Sequence, residues 1–89
     1  MIDSKIIMYN LRDLLVYTNL TQKEFAKMID STESEVSRYL SGKRLPSVMT
    51  IIKICNNFSS FTPNDFLSEN GIKKKVELIK LEVKFNRKR

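Results

Sequence analysis

Histidine and tryptophan are absent from these 89 residues, and cysteine occurs once, as Cys55. Without histidine, and with a lone thiol, the usual ligand sets of a zinc centre are missing, so no metal is expected. Two glycines supply no Gly-rich phosphate loop, and no acid and base stand paired in a recognisable setting. An enzyme is therefore not expected, nor any cofactor. A single cysteine excludes an internal disulfide. Cys55 lies in an apolar helical pattern and reads as a small core residue, with a reactive thiol as the other reading. No apolar run approaches the roughly 20 residues of a membrane span. The opening Met1-Ile2-Asp3-Ser4-Lys5 lacks the basic-then-apolar order of a signal peptide. These absences point to a cytoplasmic protein with no membrane partner, and the length allows one domain with one modest core.

The net charge of +6 is unevenly placed. Residues 1–69 carry eight basic and eight acidic side chains, whereas residues 70–89 carry eight basic and two acidic ones. All the excess thus falls in the last 20 residues. A basic terminal segment fits a polyanion partner, and a solvated tail is the alternative.

The most informative stretch runs from Leu20 to Ser47. Thr21 with Glu24, and Thr32 with Glu35, each have the Thr-x-x-Glu spacing of a capping box, so two helices are expected back to back, near 22–29 and 33–41. Asp30 and Ser31 mark the turn, and Ala26 is small enough for crossing helices to approach closely. Two short helices joined by a tight turn make a helix-turn-helix, which places its second helix in the major groove of double-stranded DNA. Upstream, Ile7, Leu11, Leu14 and Leu15 recur with helical period, with Asp3 or Ser4 as cap and an end near Asn19. Downstream, Gly42 to Pro46 breaks the second helix. Ser47 caps a fourth, near 48–58, with Ile51, Ile54, Cys55 and Phe58 inward. Thr62-Pro63-Asn64-Asp65 starts a fifth, which Phe66 and Leu67 dock and Asn70-Gly71 stops.

The final segment changes period. Ile79 to Phe85 alternates apolar and charged residues, which as a strand gives one apolar face. As a helix, Val76, Ile79 and Val83 fall on one side and Leu78, Leu81 and Phe85 on the other, leaving apolar surface exposed whichever side docks. The expectation is therefore a strand that pairs with the same strand of a second subunit. A mobile tail or a docked helix is the alternative.

The string Leu20-Thr21-Gln22, Phe25-Ala26, Ile29, Val36, Ser37-Arg38-Tyr39 and Ser41-Gly42-Lys43-Arg44-Leu45-Pro46-Ser47 resembles the Cro/phage-repressor (Xre-like) helix-turn-helix family over about residues 5–68. The resemblance implies a mainly α, five-helix repressor-like domain over residues 1–70. To it the sequence adds a basic C-terminal extension, residues 71–89, read as a dimerising β-strand. It implies a transcriptional regulator, usually a repressor or autoregulator, acting as a homodimer on a two-fold operator. It also implies that Gln22 meets a phosphate at the start of the second helix. Base contacts would come from the outward positions Glu33, Ser34, Ser37 and Arg38, with Arg38 suited to guanine or to a phosphate. Lys43 and Arg44 fit backbone contacts, and Lys73, Lys74 and Lys75 add non-specific attraction. Three departures stand out. Asp30 occupies a turn position where relatives have glycine, and Ser31 one that is usually apolar. Leu15 and Leu40 replace an arginine–glutamate pair. Glu33 and Glu35 make the head of the recognition helix acidic. That acidity, with the neutral charge of residues 1–69, also fits a rival reading: a protein-interaction module on the same scaffold, such as an antirepressor, inhibitor or antitoxin.

Overall fold

A computed structural model describes residues 4–86. Six helices follow one another: α1 (Ser4–Thr18), α2 (Gln22–Met28), α3 (Glu33–Ser41), α4 (Val48–Asn57), α5 (Pro63–Leu67) and α6 (Gly71–Asn86). The expected cap at Asp3 and the last three basic residues, Arg87, Lys88 and Arg89, lie outside the described residues.

Each internal helix begins where its cap residue demands. Thr21 accepts from Glu24 N at 3.1 Å while the Glu24 carboxylate accepts from Thr21 N at 2.9 Å, a complete capping box. Ser47 accepts from Thr50 N, and Asp65 accepts from Thr62 N with Pro63 in the first helical turn. The ends of α2 and α3 share one device. At α2, Ser31 N donates to Ala26 O and Asp30 N to Lys27 O; at α3, Lys43 N donates to Arg38 O and Gly42 N to Tyr39 O. These are Schellman closures, which put one residue in the left-handed region. Gly42 fills that place at φ +78°, and Asp30 fills it at φ +53° without a glycine's freedom.

The core takes Ile7, Leu11 and Leu14 from α1, Phe25 and Ala26 from α2, Val36 and Tyr39 from α3, and Ile51 and Ile54 from α4. Phe61 and Phe66 close it below, their rings 6.5 Å apart. Leu15, Leu40, Cys55 and Phe58 are half-buried against this core. Leu15 and Leu40, which stand where the resemblance expects an ion pair, each add apolar packing at the core's margin. Desolvation first, and the Asp65 carboxylate second, push the Cys55 thiol above its ordinary pKa.

The expected β-strand extension is absent: residues 71–86 form α6, and no strand occurs among the described residues. The reason lies ahead of the alternating segment. Ile72 and Val76 are buried against α1 and α5 at 0% and 9% exposure, which fixes helical spacing before residue 79 is reached. Among the described residues of one chain a strand would find no edge to pair with, whereas a helix closes its own backbone hydrogen bonds. Gly71 permits the docking, since a Cβ there would lie 1.9 Å from Asp65 O. The α1–α6 contact is locked by Asn10, which is buried and bonded to Phe66 O, Ser68 O and Ile72 N.

Candidate nucleic-acid interface

The sequence of α3 divides it by period. Val36 and Tyr39 turn inward and are buried, and Leu40 is half-buried. Glu33, Ser34, Ser37, Arg38 and Ser41 are exposed. Ser34, Ser37, Arg38 and Ser41 stand at i, i+3, i+4 and i+7, so they form one stripe along the solvent side. Gln22 is exposed in the first turn of α2, the helix packed against α3. The left-handed Gly42 turns the chain back, leaving Lys43 and Arg44 exposed beyond the helix end. All seven residues singled out from the sequence are thus solvent-accessible and lie on α3, at the start of α2 or just past the Gly42 turn.

The second capping box is only half formed. Thr32 Oγ1 accepts from Glu35 N at 3.1 Å, but the Glu35 carboxylate does not return to the cap. Its two oxygens go instead to two arginines: Oε1 lies 2.8 Å from Arg44 Nε and Oε2 lies 3.4 Å from Arg38 Nη1. Arg38 is one turn along the helix, and Arg44 reaches back across the Gly42 turn. The Glu35 side chain is 19% exposed, while those of Arg38 and Arg44 are 54% and 62% exposed. The carboxylate is therefore a recessed anchor that holds Arg44 at Nε and Arg38 at one terminal nitrogen, while both arginine side chains stay largely exposed. Capping-box spacing alone could not reveal this, because the competing arginine lies across a turn.

A second contact was equally invisible to periodicity. Arg12 of α1 donates from Nε to Leu40 O at 2.7 Å, satisfying one of the last carbonyls of α3. A cation at that end also opposes the negative end of the helix dipole. Helix α3 is thus tied to α1 by an arginine that bonds its backbone.

The lysines at the start of α6 are partly engaged within the domain: Lys73 lies 3.9 Å from Asp13 and Lys75 lies 3.5 Å from Asp65. Among the described residues, no helix is long and apolar enough to cross a membrane.

A family model described as helix-turn-helix matches residues 11–61, more than half of the chain. The span runs from within α1 through α2, α3 and α4 to Phe61. No curated protein and no solved structure matches the chain.

Proposed function

The chain belongs to this helix-turn-helix family of Cro/phage-repressor type, whose members are DNA-binding regulators, and from that premise we propose that it is a cytoplasmic, sequence-specific repressor or autoregulator that binds a two-fold operator as a homodimer. The observation that carries the reading is the exposed stripe Ser34, Ser37 and Arg38 on a helix whose opposite face is buried, continued by Lys43 and Arg44 beyond Gly42. In this reading α3 lies in the major groove. Arg38 reads a base edge or grips a phosphate, and Ser34 and Ser37 make short polar contacts. Gln22, Lys43 and Arg44 hold the backbone. Glu33 can only accept, so it suits a cytosine N4 or stands clear of the duplex. Glu35 orients Arg38 and Arg44 and touches no nucleotide.

The test is a gel shift with the full chain on the DNA upstream of its own gene, at low and moderate salt, beside a scrambled duplex. A discrete complex that prefers the upstream DNA is expected. Equal or absent binding to both duplexes at low salt would overturn the reading. It would favour a protein-interaction module, for which one observation speaks directly: Glu33 and Glu35 offset two of the three cations, Arg38, Lys43 and Arg44, on the face in question.

A further inference from the structure

The helical state of α6 creates a surface that its own domain does not use. Ile72 and Val76 are buried and Ile79 is half-buried, the i, i+4, i+7 stripe that faces α1 and α5. Leu78, Leu81 and Phe85 form another stripe, on the opposite side of the helix and within about 60° of one another at helical spacing. They are 56%, 60% and 72% exposed. Their order, i, i+3, i+7, is that of a coiled-coil seam, and Lys74, also exposed, extends it by one place toward the start of the helix.

We propose that this stripe is the seam of an antiparallel helix pair between two copies of the chain. The inference rests on the dimeric reading above and names the surface that makes the dimer. Charge selects the occupant and its direction. With Leu78 and Phe85 as a positions and Leu81 as d, Lys75 and Glu82 fall at e, and Glu77 and Lys84 at g. In a parallel pair each g residue meets the following e residue of the other helix, so Glu77 would face the partner's Glu82, twice over. In an antiparallel pair g meets g and e meets e. Glu77 then faces the partner's Lys84, and Lys75 faces the partner's Glu82. Two-fold symmetry repeats both contacts, giving four opposite-charge pairs where the parallel arrangement gives two repulsions. Within the seam, Leu78 packs on the partner's Leu81, and Phe85 lies across the stem of the partner's Lys74, a placement that suits a cation near an aromatic face. Lys75 is also 3.5 Å from Asp65, so the Glu77–Lys84 pair is the cleaner probe.

The measurement is sedimentation equilibrium of the full chain without DNA, with a thermal melt by circular dichroism beside each variant. The wild type is expected to dimerise. Leu81→Glu, at an exposed position, should keep the melt and weaken the dimer by about tenfold or more. Glu77→Lys should weaken it, since the introduced ammonium would meet the partner's Lys84, and adding Lys84→Glu should restore it at the wild-type net charge. In a parallel pair Glu77→Lys would instead tighten the dimer by meeting the partner's Glu82. A wild type that stays monomeric to about 0.1 mM, an unchanged dimer in Leu81→Glu, or a tighter dimer in Glu77→Lys each overturns the inference. A monomer that still shifts its upstream DNA refutes the helix pair and leaves the DNA-binding reading standing. A dimer of this pattern that binds no DNA does the reverse.

Discussion

Glu35 Oε1 sits 2.8 Å from Arg44 Nε, across the left-handed turn that ends the recognition helix, and the same carboxylate holds Arg38 at 3.4 Å. Exposed pairs of this kind contribute no more than about 1 kcal/mol to folding. In the proposed DNA-binding role their larger effect is on where two long, flexible side chains point before a duplex arrives, which would reduce the ordering cost of binding. Glu35→Gln should therefore leave the melting temperature nearly unchanged. It should raise affinity for a scrambled duplex, steepen the fall of binding with salt, and lower the ratio of specific to non-specific affinity. Titrations of both duplexes at several salt concentrations check this. An unchanged ratio would show that Glu35 orients nothing that matters to readout.

Arg38→Ala separates the two ways an arginine can serve. If Arg38 reads a base, operator affinity falls by about 1–3 kcal/mol while binding to scrambled DNA is nearly kept. If it grips a phosphate, the loss is the same on every sequence and the salt slope shrinks by about one. An Arg38→Ala, Ser34→Ala double variant that folds and binds the operator like wild type would sink the docking of α3 in the groove.

Helices α2 to α5 were legible because their starts are written in side chains, and α1 because Ile7, Leu11 and Leu14 recur at helical spacing. Thr21, Ser47 and Thr62 each bond to the backbone near their own helix start or to the acid three places on, and apolar period then gives the inward face of α1, α3 and α4. The exposed stripe of α3 was legible for the same reason, since what is not inward must face water. The state of α6 was not. Strict alternation from Ile79 to Phe85 favours a strand when read alone, but Ile72 and Val76 had already committed the chain to helical spacing. The Glu35–Arg38 pair is a local i, i+3 spacing, but the Glu35–Arg44 contact and the roles of Arg12 and Asn10 depend on partners brought in by turns or from far along the chain, which no local pattern encodes.

Asp30 bears the cost of a left-handed residue at the turn between α2 and α3, at φ +53°. Its Schellman partners are in place, so glycine should fit the same backbone without the Cβ penalty. Asp30→Gly should stabilise the fold by about 0.5–1 kcal/mol, a rise of a few degrees in melting temperature for a domain this small. Asp30→Val should do the opposite. Should the glycine variant melt lower than wild type, Asp30 has a stabilising role that the geometry does not reveal.

Glu24 offers a pH test of the first capping box. Its carboxyl is held below its ordinary pKa by the backbone N–H of Thr21 and then by the Thr21 hydroxyl. A depressed folded-state pKa means that the unfolded chain takes up the proton first as pH falls. The contribution is therefore complete above the unfolded carboxyl value and is lost as pH drops through the lower folded one. Melts of wild type and Glu24→Gln should differ at neutral pH and converge in acid. A gap that stays constant down to the acid end would mean that the ionised form of Glu24 contributes nothing.

Asn10 should be the costliest polar side chain to lose among the described residues. It is 1% exposed, yet every polar atom on it is used: Nδ2 donates to Phe66 O at 2.9 Å and to Ser68 O at 2.8 Å, and Oδ1 accepts from Ile72 N at 3.3 Å. Two of those partners are carbonyls at the end of α5 and just past it, and the third is an N–H in the first turn of α6, which has no partner within its own helix. One amide thus completes the α5–α6 junction from α1. Asn10→Leu keeps the branched outline but is bulkier at a site 1% exposed, and it leaves three backbone groups without their partner. At about 1–3 kcal/mol for each buried unsatisfied group, partly relieved by water at the rim, a net loss of about 2–5 kcal/mol follows. Asn10→Asp should do no better, since it places a carboxylate against two carbonyl oxygens. Urea unfolding of the three proteins measures the loss, and hydrogen exchange locates it: the amides of Ile72 and its α6 neighbours should lose protection before those of α2 and α3. An Asn10→Leu protein as stable as wild type, with α6 still protected, would mean that the Ile72 and Val76 packing alone holds α6 in place.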